Sequence, residues 1–284
     1  LFSFSQNYLT PGYKELSILP TETGNYKTYK NALHIWPRGD FMVIALPNLD
    51  GSFTVTLFLS YAEGEYNFNN LTTPEVVTEF FQKEFPDALE LMPNLVVDFF
   101  ENPTAPLGTV KCSPWHYQGN TLLMGDSAHA IVPFYGQGMN ASFEDVVEFD
   151  KVLDQDLEHW DIIFETYEKS RKKDTDAIAD LAIDNFHEMK AHVANPIFQE
   201  KRKIEMALEQ NFPEDYSSKY SLVTFNEHIG YREAMLRGRA QDKAILNMLT
   251  DGELDVDGDL KTILDKVKTE TEAILEDDRI AGLK

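Results

Sequence analysis

Apolar runs in the first part of the chain predict an antiparallel sheet. Asn31–Trp36 and Phe41–Leu46 are rich in aromatic and β-branched residues, and the short turn between them contains Gly39, which is typical of a β-hairpin. Phe53–Ser60 follows after a second short turn and predicts a third antiparallel strand. Both faces of the second strand are apolar. One face could therefore line an enclosed space, and a sheet covered by helices on both sides explains the pattern equally well.

The middle of the chain predicts a mixture of helices and short strands. Thr73 as N-cap and Pro74 at the first helical position predict a helix that ends at about Phe85. Three short apolar runs predict further strands, the last of them buried: Leu95–Phe100, Thr109–Ser113 and Asn120–Gly125. A helix is then predicted over Gln137–Leu153, and its apolar stripe consists of Met139, Phe143, Val146, Val147 and Phe149.

From Trp160 onward the pattern is mainly helical, with apolar residues at helical spacing in 164–194 and 229–249. Residues 251–284 are polar and acidic, and they predict a peripheral helix with a frayed end. The apolar positions of this last segment are Leu260, Ile263, Leu264 and Val267. All these elements together predict an α+β fold with an antiparallel sheet and a helical C-terminal region.

Composition narrows the classes of function. The chain of 284 residues is 43% hydrophobic, which supplies a packed core and excludes a disordered chain. Its 25 basic and 48 acidic residues give a formal net charge of −23, which disfavours nucleic acid and anionic membranes as partners. The single cysteine, Cys112, excludes an internal disulfide and fits a reducing compartment. No metal-binding spacing and no transmembrane run is present, so we expect a cytoplasmic protein without a metal.

The stretch that carries the chemistry is LLMGDSAHAIVPFYGQGMNASFED, residues 122–145. An acid, Asp126, follows a Gly at the end of a predicted strand, and Gly136-Gln137-Gly138 opens a helix ten residues later. Glycines allow the backbone to approach a ligand closely, and the free N–H groups of a helix start favour negative charge. This arrangement suits a ligand that has many hydroxyl groups and an anionic end.

This stretch resembles the second flavin-binding motif of the class A flavoprotein monooxygenases, the aromatic hydroxylases. The resemblance implies that Asp126 binds the ribityl chain of FAD, and that the N–H groups of Met139 and Asn140 face the flavin pyrimidine edge. It also implies that Pro133–Gly138 runs along the flavin ring. The cofactor-binding residues implied by this resemblance are Gly125, Asp126, Pro133, Gly136, Gln137, Gly138, Met139 and Asn140.

Further blocks are similar to the kynurenine 3-monooxygenase family: LHIWPRGDFMVIALPN, FFQKEFPDA, VPFYGQGMNASFED, EMKAHV and YSLVTF. They extend in one order from Gly12 to about Met248. The resemblance implies an enzyme that uses FAD, NADPH and O2 to hydroxylate the aromatic amino acid L-kynurenine to 3-hydroxykynurenine. It implies no residue that acts as an acid or base, and His129 is interpreted as a structural loop residue.

The same resemblance implies the substrate-binding residues. Asn185 and Tyr220 match the residues that bind the substrate carboxylate, which needs polar partners in an otherwise apolar pocket. The implied lining consists of Leu33, Met42, Ile44, Leu46, Phe58, Pro133, Phe134, Tyr135 and Met189. Taken alone, each apolar member would more often be an ordinary core residue. Asn185 alone would fit a helix surface, and Tyr220 alone would fit a boundary tyrosine.

The family begins with a βαβ unit that bears GxGxxG, and this fingerprint is missing here. We therefore expect the C-terminal part of such an enzyme, weak retention of FAD by this chain alone, and an inactive fragment. The predicted parts are a substrate-binding sheet region (1–106), the second part of an FAD-binding domain (107–160), a C-terminal helical region completing the pocket (161–250) and an acidic peripheral tail (251–284). Two alternatives stay open: another class A hydroxylase, and a substrate-pocket fragment without activity of its own.

Overall fold

The computed structural model describes residues 2–155, 158–189 and 195–281. They divide into two compact units. One unit, here called the sheet unit, consists of Asn7–Gly108 together with residues 186–189. The other, the helical unit, consists of residues 2–6, Thr109–Asn185 and the described residues from 195 onward.

Five strands form the main sheet in the order β2-β3-β4-β1-β5, and β6 and β7 form a separate pair. The strands are β1 (Ser3–Ile18), β2 (His34–Pro37), β3 (Met42–Pro47), β4 (Phe53–Ser60), β5 (Thr104–Ser113), β6 (His116–Tyr117) and β7 (Thr121–Leu122). The predicted hairpin and third strand are confirmed, since β2, β3 and β4 pair antiparallel in sequence order. β5 includes the predicted strand Thr109–Ser113. β1 was not predicted, because polar residues and Pro11 interrupt its apolar pattern.

One face of the sheet packs against three helices, α1 (Pro74–Glu84), α2 (Pro86–Leu91) and α3 (Leu95–Glu101). The sheet contributes buried side chains at alternating positions: Leu16, Ile18, Val43, Ala45, Val55 and Leu57. Phe80 and Phe81 of α1, and Phe85 between α1 and α2, belong to the same core. Thr73 caps α1 through a hydrogen bond from the N–H of Val76, as its position before Pro74 predicted. The opposite face of β3 carries Met42, Ile44 and Leu46, the residues assigned to the substrate.

The predicted strand over Leu95–Phe100 is wrong, because this segment is helix α3. Its run of β-branched and aromatic residues favours a strand locally. Leu95 and Phe99, four residues apart, are both buried in the core, whereas Val97 is half-exposed. Packing on the sheet therefore selects the helical period over the local preference.

The helical unit contains α4 (Asp126–His129), a 3₁₀ turn (Pro133–Tyr135), α5 (Gly138–Leu153), α6 (Trp160–His187), α7 (Pro196–Asn211), α8 (Lys219–Thr224), α9 (Tyr231–Thr250) and α10 (Leu260–Ile280). The helices predicted over 137–153 and 229–249 are confirmed, and α6 confirms the predicted helix up to His187. Residues 190–194 of that prediction lie outside the described residues.

Two predictions about the helical unit are wrong. Only Thr121 and Leu122 of the run Asn120–Gly125 form a strand, and its residues are half-buried or exposed because β7 pairs only with the short β6. The apolar stripe predicted for α5 does not face the core. Its four most exposed members are Met139, Phe143, Val146 and Val147. The residues of α5 that are buried are Ala141, Asp145 and Val152.

The helices α7, α9 and α10 share a second apolar core. Ile263, Leu264 and Val267 are buried there, so the predicted amphipathic helix of the acidic segment is part of the packed structure. No helix among the described residues has the length and apolar character needed to cross a bilayer. The division into four parts stays a prediction.

Candidate functional site

The Gly125-Asp126 pair forms a tight turn at the start of α4. Gly125 has φ 57° and ψ −143°, a combination that favours glycine strongly. A Cβ atom at this position would lie 3.2 Å from Oγ of Ser142 in α5. The backbone conformation therefore favours glycine, and the close approach to Ser142 leaves little room for a side chain. The turn places Asp126 beside the first turns of α5.

A buried carboxylate, Asp145, holds this turn through hydrogen bonds. Its side chain is fully buried and accepts three hydrogen bonds: from the N–H of Gly125 (2.9 Å), from Nε2 of His129 (2.6 Å) and from Nε of Arg171 (2.8 Å). One carboxylate therefore connects the turn, α4, α5 and α6. His129 is buried in this network, which fits a structural role, but it is the last residue of helix α4 and does not lie in a loop.

The charge of Asp145 is stabilised by its partners. Burial acts to raise the pKa of its carboxyl, but the hydrogen bond and charge of His129, the Gly125 N–H and Arg171 outweigh burial, so the pKa is lowered. Arg171 is buried as well and also pairs with Glu144, at 3.0 Å between Nη1 and Oε2. Burial raises the pKa of the neighbouring Tyr167, with a further contribution from the charge of Asp145.

Asp126 differs from Asp145 in every respect that matters for ligand binding. Its side chain is exposed at the first turn of α4. Among the described residues it has no hydrogen-bond or ion-pair partner. A charged acceptor that makes no internal contact is available to the hydroxyl groups of a ligand.

The loop from Pro133 to Gln137 leads into α5. The 3₁₀ turn ends at Gly136, which is left-handed at φ 68° and has no atom within 4 Å of a Cβ placed on it. Gln137 is buried, and its Oε1 accepts from Nδ2 of Asn140 (3.0 Å) and from the hydroxyl of Tyr231 (3.2 Å). Burial, with the charge of Glu144, raises the pKa of Tyr231 to about 12, so this hydroxyl keeps its proton at neutral pH.

The start of α5 is open. Gln137 makes no side-chain cap, and no acid lies in the first turn. The N–H groups of Gly138, Met139 and Asn140 come before the first intrahelical bond, which runs from the N–H of Ala141 to the carbonyl of Gln137. Met139 and Asn140 are exposed. This end of a 16-residue helix therefore presents free donors and the positive end of its dipole.

The two residues assigned to the substrate carboxylate contact neighbouring positions of the same turn. Nδ2 of Asn185 donates to the carbonyl of Phe134 at 2.7 Å. The ring of Tyr220 is stacked on the ring of Tyr135, with 5.7 Å between centroids and 16° between planes. Asn185 and Tyr220 come from α6 and α8, so the helical unit brings together side chains that are 35 positions apart in the chain.

The remaining assigned residues lie in the sheet unit. Met42 of β3 and Phe58 of β4 are direct cross-strand partners, and both are buried. Ile44 is half-buried, and Leu33 and Leu46 are about half-exposed. Met189 is buried. That these side chains and those of the helical unit line one pocket stays a prediction.

Sequence reasoning missed Asp145 and Arg171. Asp145 lies in an amphipathic helix, where a charged residue usually faces solvent, and Arg171 lies in the charged run EKSRKKD of α6. The available signal was the spacing in α5: Asp145 follows Ala141 by four residues and therefore lies on its buried face. Among the described residues, no group of three or more His, Cys, Asp or Glu side chains could hold a metal ion.

A family model described as FAD binding domain matches residues 37–182, just over half of the chain. The chain belongs to the FAD binding domain family. The match includes the Gly125-Asp126 turn, the open start of α5 and the buried network of Asp145 and Arg171. In this FAD binding domain protein the exposed donors and acceptors described above therefore lie within the segment that the family model matches.

Curated relatives carry the name kynurenine 3-monooxygenase. The protein of Dictyostelium discoideum is 49% identical, over 89% of this chain and 57% of the relative. That of Flavobacterium psychrophilum is 45% identical, over 94% of this chain and 59% of the relative. The Sus scrofa protein is 44% identical, over 86% of this chain and 51% of the relative. The FAD binding domain protein described here therefore spans little more than half the length of these relatives.

Solved structures share the fold at low sequence identity. A 2-methyl-3-hydroxypyridine-5-carboxylic acid oxygenase has a TM-score of 0.53 and 16% identity, over 69% of this chain and 52% of its own. Klebsiella pneumoniae HpxO, solved with FAD and uric acid, has a TM-score of 0.53 and 16% identity, over 75% of this chain and 52% of its own. The α+β fold expected from the sequence is confirmed.

Proposed function

We propose that this chain is part of a flavin-dependent monooxygenase that hydroxylates L-kynurenine to 3-hydroxykynurenine, with NADPH as reductant and O2 as the oxygen source. The observation that carries the proposal is the 43–49% identity to relatives named kynurenine 3-monooxygenase. These matches extend over 84–94% of the chain. The proposed parts are the four that the sequence predicts, from the substrate-binding sheet region (1–106) to the acidic tail (251–284).

The residues present fit FAD. The exposed carboxylate of Asp126 would accept hydrogen bonds from the ribityl hydroxyls, and Gly125 keeps the backbone compact beside it. The free N–H groups of Met139 and Asn140 would face the pyrimidine edge of the ring, where negative charge develops on reduction. Gly136 leaves open space at its α-carbon, so a planar ring could lie against this loop. When bound, FAD supplies the redox chemistry that activates O2 for ring hydroxylation.

The chain's own side chains position the substrate. L-Kynurenine is a zwitterion, and its carboxylate needs donors within an apolar pocket. Asn185 and Tyr220 supply an amide and a hydroxyl beside the Phe134-Tyr135 turn. The apolar face of β3 and β4 would hold the aromatic ring and exclude water, which protects a reactive intermediate from wasteful breakdown.

A substrate screen tests the proposal. A full-length enzyme that carries this sequence is mixed with FAD and NADPH, and NADPH consumption is followed with L-kynurenine and with a panel of other aromatic acids. We expect L-kynurenine to give the highest kcat/KM and a hydroxylated product. Preference for a different aromatic acid would assign the chain to another class A hydroxylase and contradict the proposal.

A further inference from the structure

Tyr220 is held in place through the residue that precedes it. Lys219 is buried, and its Nζ lies 2.6 Å from Oδ2 of Asp242 in α9. The other oxygen of Asp242 lies 2.8 Å from Nζ of Lys201 in α7, another buried lysine. A buried carboxylate with two lysine partners therefore connects α7, α8 and α9 directly beside Tyr220.

The contact between α8 and α9 depends on a glycine. A Cβ atom on Gly238 would lie 2.5 Å from Cγ and 3.0 Å from Cα of Lys219. Since Cα belongs to the backbone, a side chain at Gly238 would force α8 away from α9. Gly238 and Asp242, one turn apart on α9, therefore both contact Lys219 of α8.

The same turn of α9 holds α6 beside Asn185. Nε of Arg239 lies 2.8 Å from Oδ2 of Asp184, the residue before Asn185. A second contact fixes the start of α9, where the N–H of Arg232 donates to Oδ1 of Asp174 at 2.7 Å. The two contacts are ten residues apart on α6 and seven apart on α9, so α9 is joined to α6 at two separate points.

We propose that the Gly238–Asp242 turn of α9 is a positioning element that sets the separation of Asn185 and Tyr220, and thereby the recognition of the substrate carboxylate. The inference rests on the proposed function. Both assigned residues directly follow a residue whose side chain is ion-paired with this turn: Asp184 with Arg239, and Lys219 with Asp242. α5, α6, α8 and α9 also share an apolar cluster with Tyr135, so a shift of α9 would be transmitted to the substrate side. Asp242 and Arg239 are positioning residues, because neither is assigned to the substrate or the flavin.

The first test is a charge swap at the exposed pair, where the protein can be expected to fold. In a full-length enzyme that carries this sequence, Arg239→Asp places two carboxylates side by side and should raise the KM for L-kynurenine about fivefold, with kcat and the KM for NADPH within twofold. Adding Asp184→Arg to this variant should restore the KM for L-kynurenine to within twofold of the wild-type value. An unchanged KM in Arg239→Asp, or no restoration by the swap, would overturn the proposal.

The second test is Asp242→Asn, alone and combined with Tyr220→Phe. We expect Asp242→Asn to raise the KM for L-kynurenine about tenfold, and to raise it less than twofold when the Tyr220 hydroxyl is already absent. A merely structural role would give equal effects in both backgrounds and would also change the KM for NADPH. The control is Asp215→Asn, which breaks the exposed pair with Lys268 in the same unit and should leave all constants unchanged.

Amide hydrogen exchange separates this inference from the proposed function. In the chain itself, Asp242→Asn should speed exchange within α8 (Lys219–Thr224) at least tenfold, whereas Asp215→Asn should not. Unchanged exchange in α8 would overturn the positioning role whatever the substrate is. If the wild-type enzyme does not hydroxylate L-kynurenine but α8 responds as expected, the proposed function fails and the mechanical role of the α9 turn is supported.

Discussion

Replacing Asp145 by asparagine should destabilise the chain strongly, because this carboxylate holds the turn that carries Gly125 and Asp126. The carboxylate is fully buried and accepts from the Gly125 N–H, from His129 and from Arg171. Asparagine keeps one acceptor oxygen, but its amide group would face donors, and the charge opposite the buried Arg171 is lost. Removing one partner of a buried ion pair costs about 3–5 kcal/mol. Because Glu144 still pairs with Arg171, we expect the lower end, about 3 kcal/mol.

Urea denaturation followed by circular dichroism measures this cost. For a chain of this size, a loss of about 3 kcal/mol corresponds to a fall of about 1 M in the urea midpoint. The matched control is Asp126→Asn, an exposed carboxylate in the same turn, which should change the free energy of unfolding by less than about 0.5 kcal/mol. A loss below about 1 kcal/mol for Asp145→Asn would refute the view that this carboxylate holds the turn.

Further predictions concern pH, cofactor and substrate. Because the pKa of Asp145 is lowered on folding, its contribution to stability is present above about pH 4 and is lost as the pH falls further. The free energies of unfolding of wild type and Asp145→Asn should therefore converge as the pH is lowered. Asp126→Ala should weaken FAD binding to the full-length enzyme by about 1.5–3 kcal/mol in an equilibrium titration, and unchanged affinity would remove Asp126 from the cofactor site. Tyr220→Phe should raise the KM for L-kynurenine roughly tenfold to a hundredfold and increase NADPH oxidation without product; equal weakening of the decarboxylated analogue would show that Tyr220 only packs.

The sequence predicted elements well where the local pattern and the tertiary packing agree. The strands of the hairpin and Phe53–Ser60 have apolar runs bounded by turn residues, and they pair as expected. β1 lies between β4 and β5, but its first half is exposed and polar, so its period is not visible in the sequence. Leu95–Phe100 has the composition of a strand, and only its packing against the sheet reveals a helix.

The candidate site likewise contains residues that the sequence could identify and residues that it could not. Gly125 and Gly136 could be predicted because their positive φ angles favour glycine, and the glycines themselves are visible in the sequence. Asp145 and Arg171 could not, since a buried ion pair uses the same residue types as a solvated helix surface. The neighbourhood of Asn185 and Tyr220 around Phe134 and Tyr135 is a long-range contact that no local pattern contains.

Product analysis under ¹⁸O₂ tests the central claim most directly. A full-length enzyme that carries this sequence is supplied with FAD, NADPH and L-kynurenine, and the product is examined by mass spectrometry. The account predicts 3-hydroxykynurenine with one labelled oxygen atom, formed in step with NADPH oxidation. Absence of hydroxylated kynurenine while NADPH is consumed, or a hydroxyl group that carries oxygen from water, would contradict it.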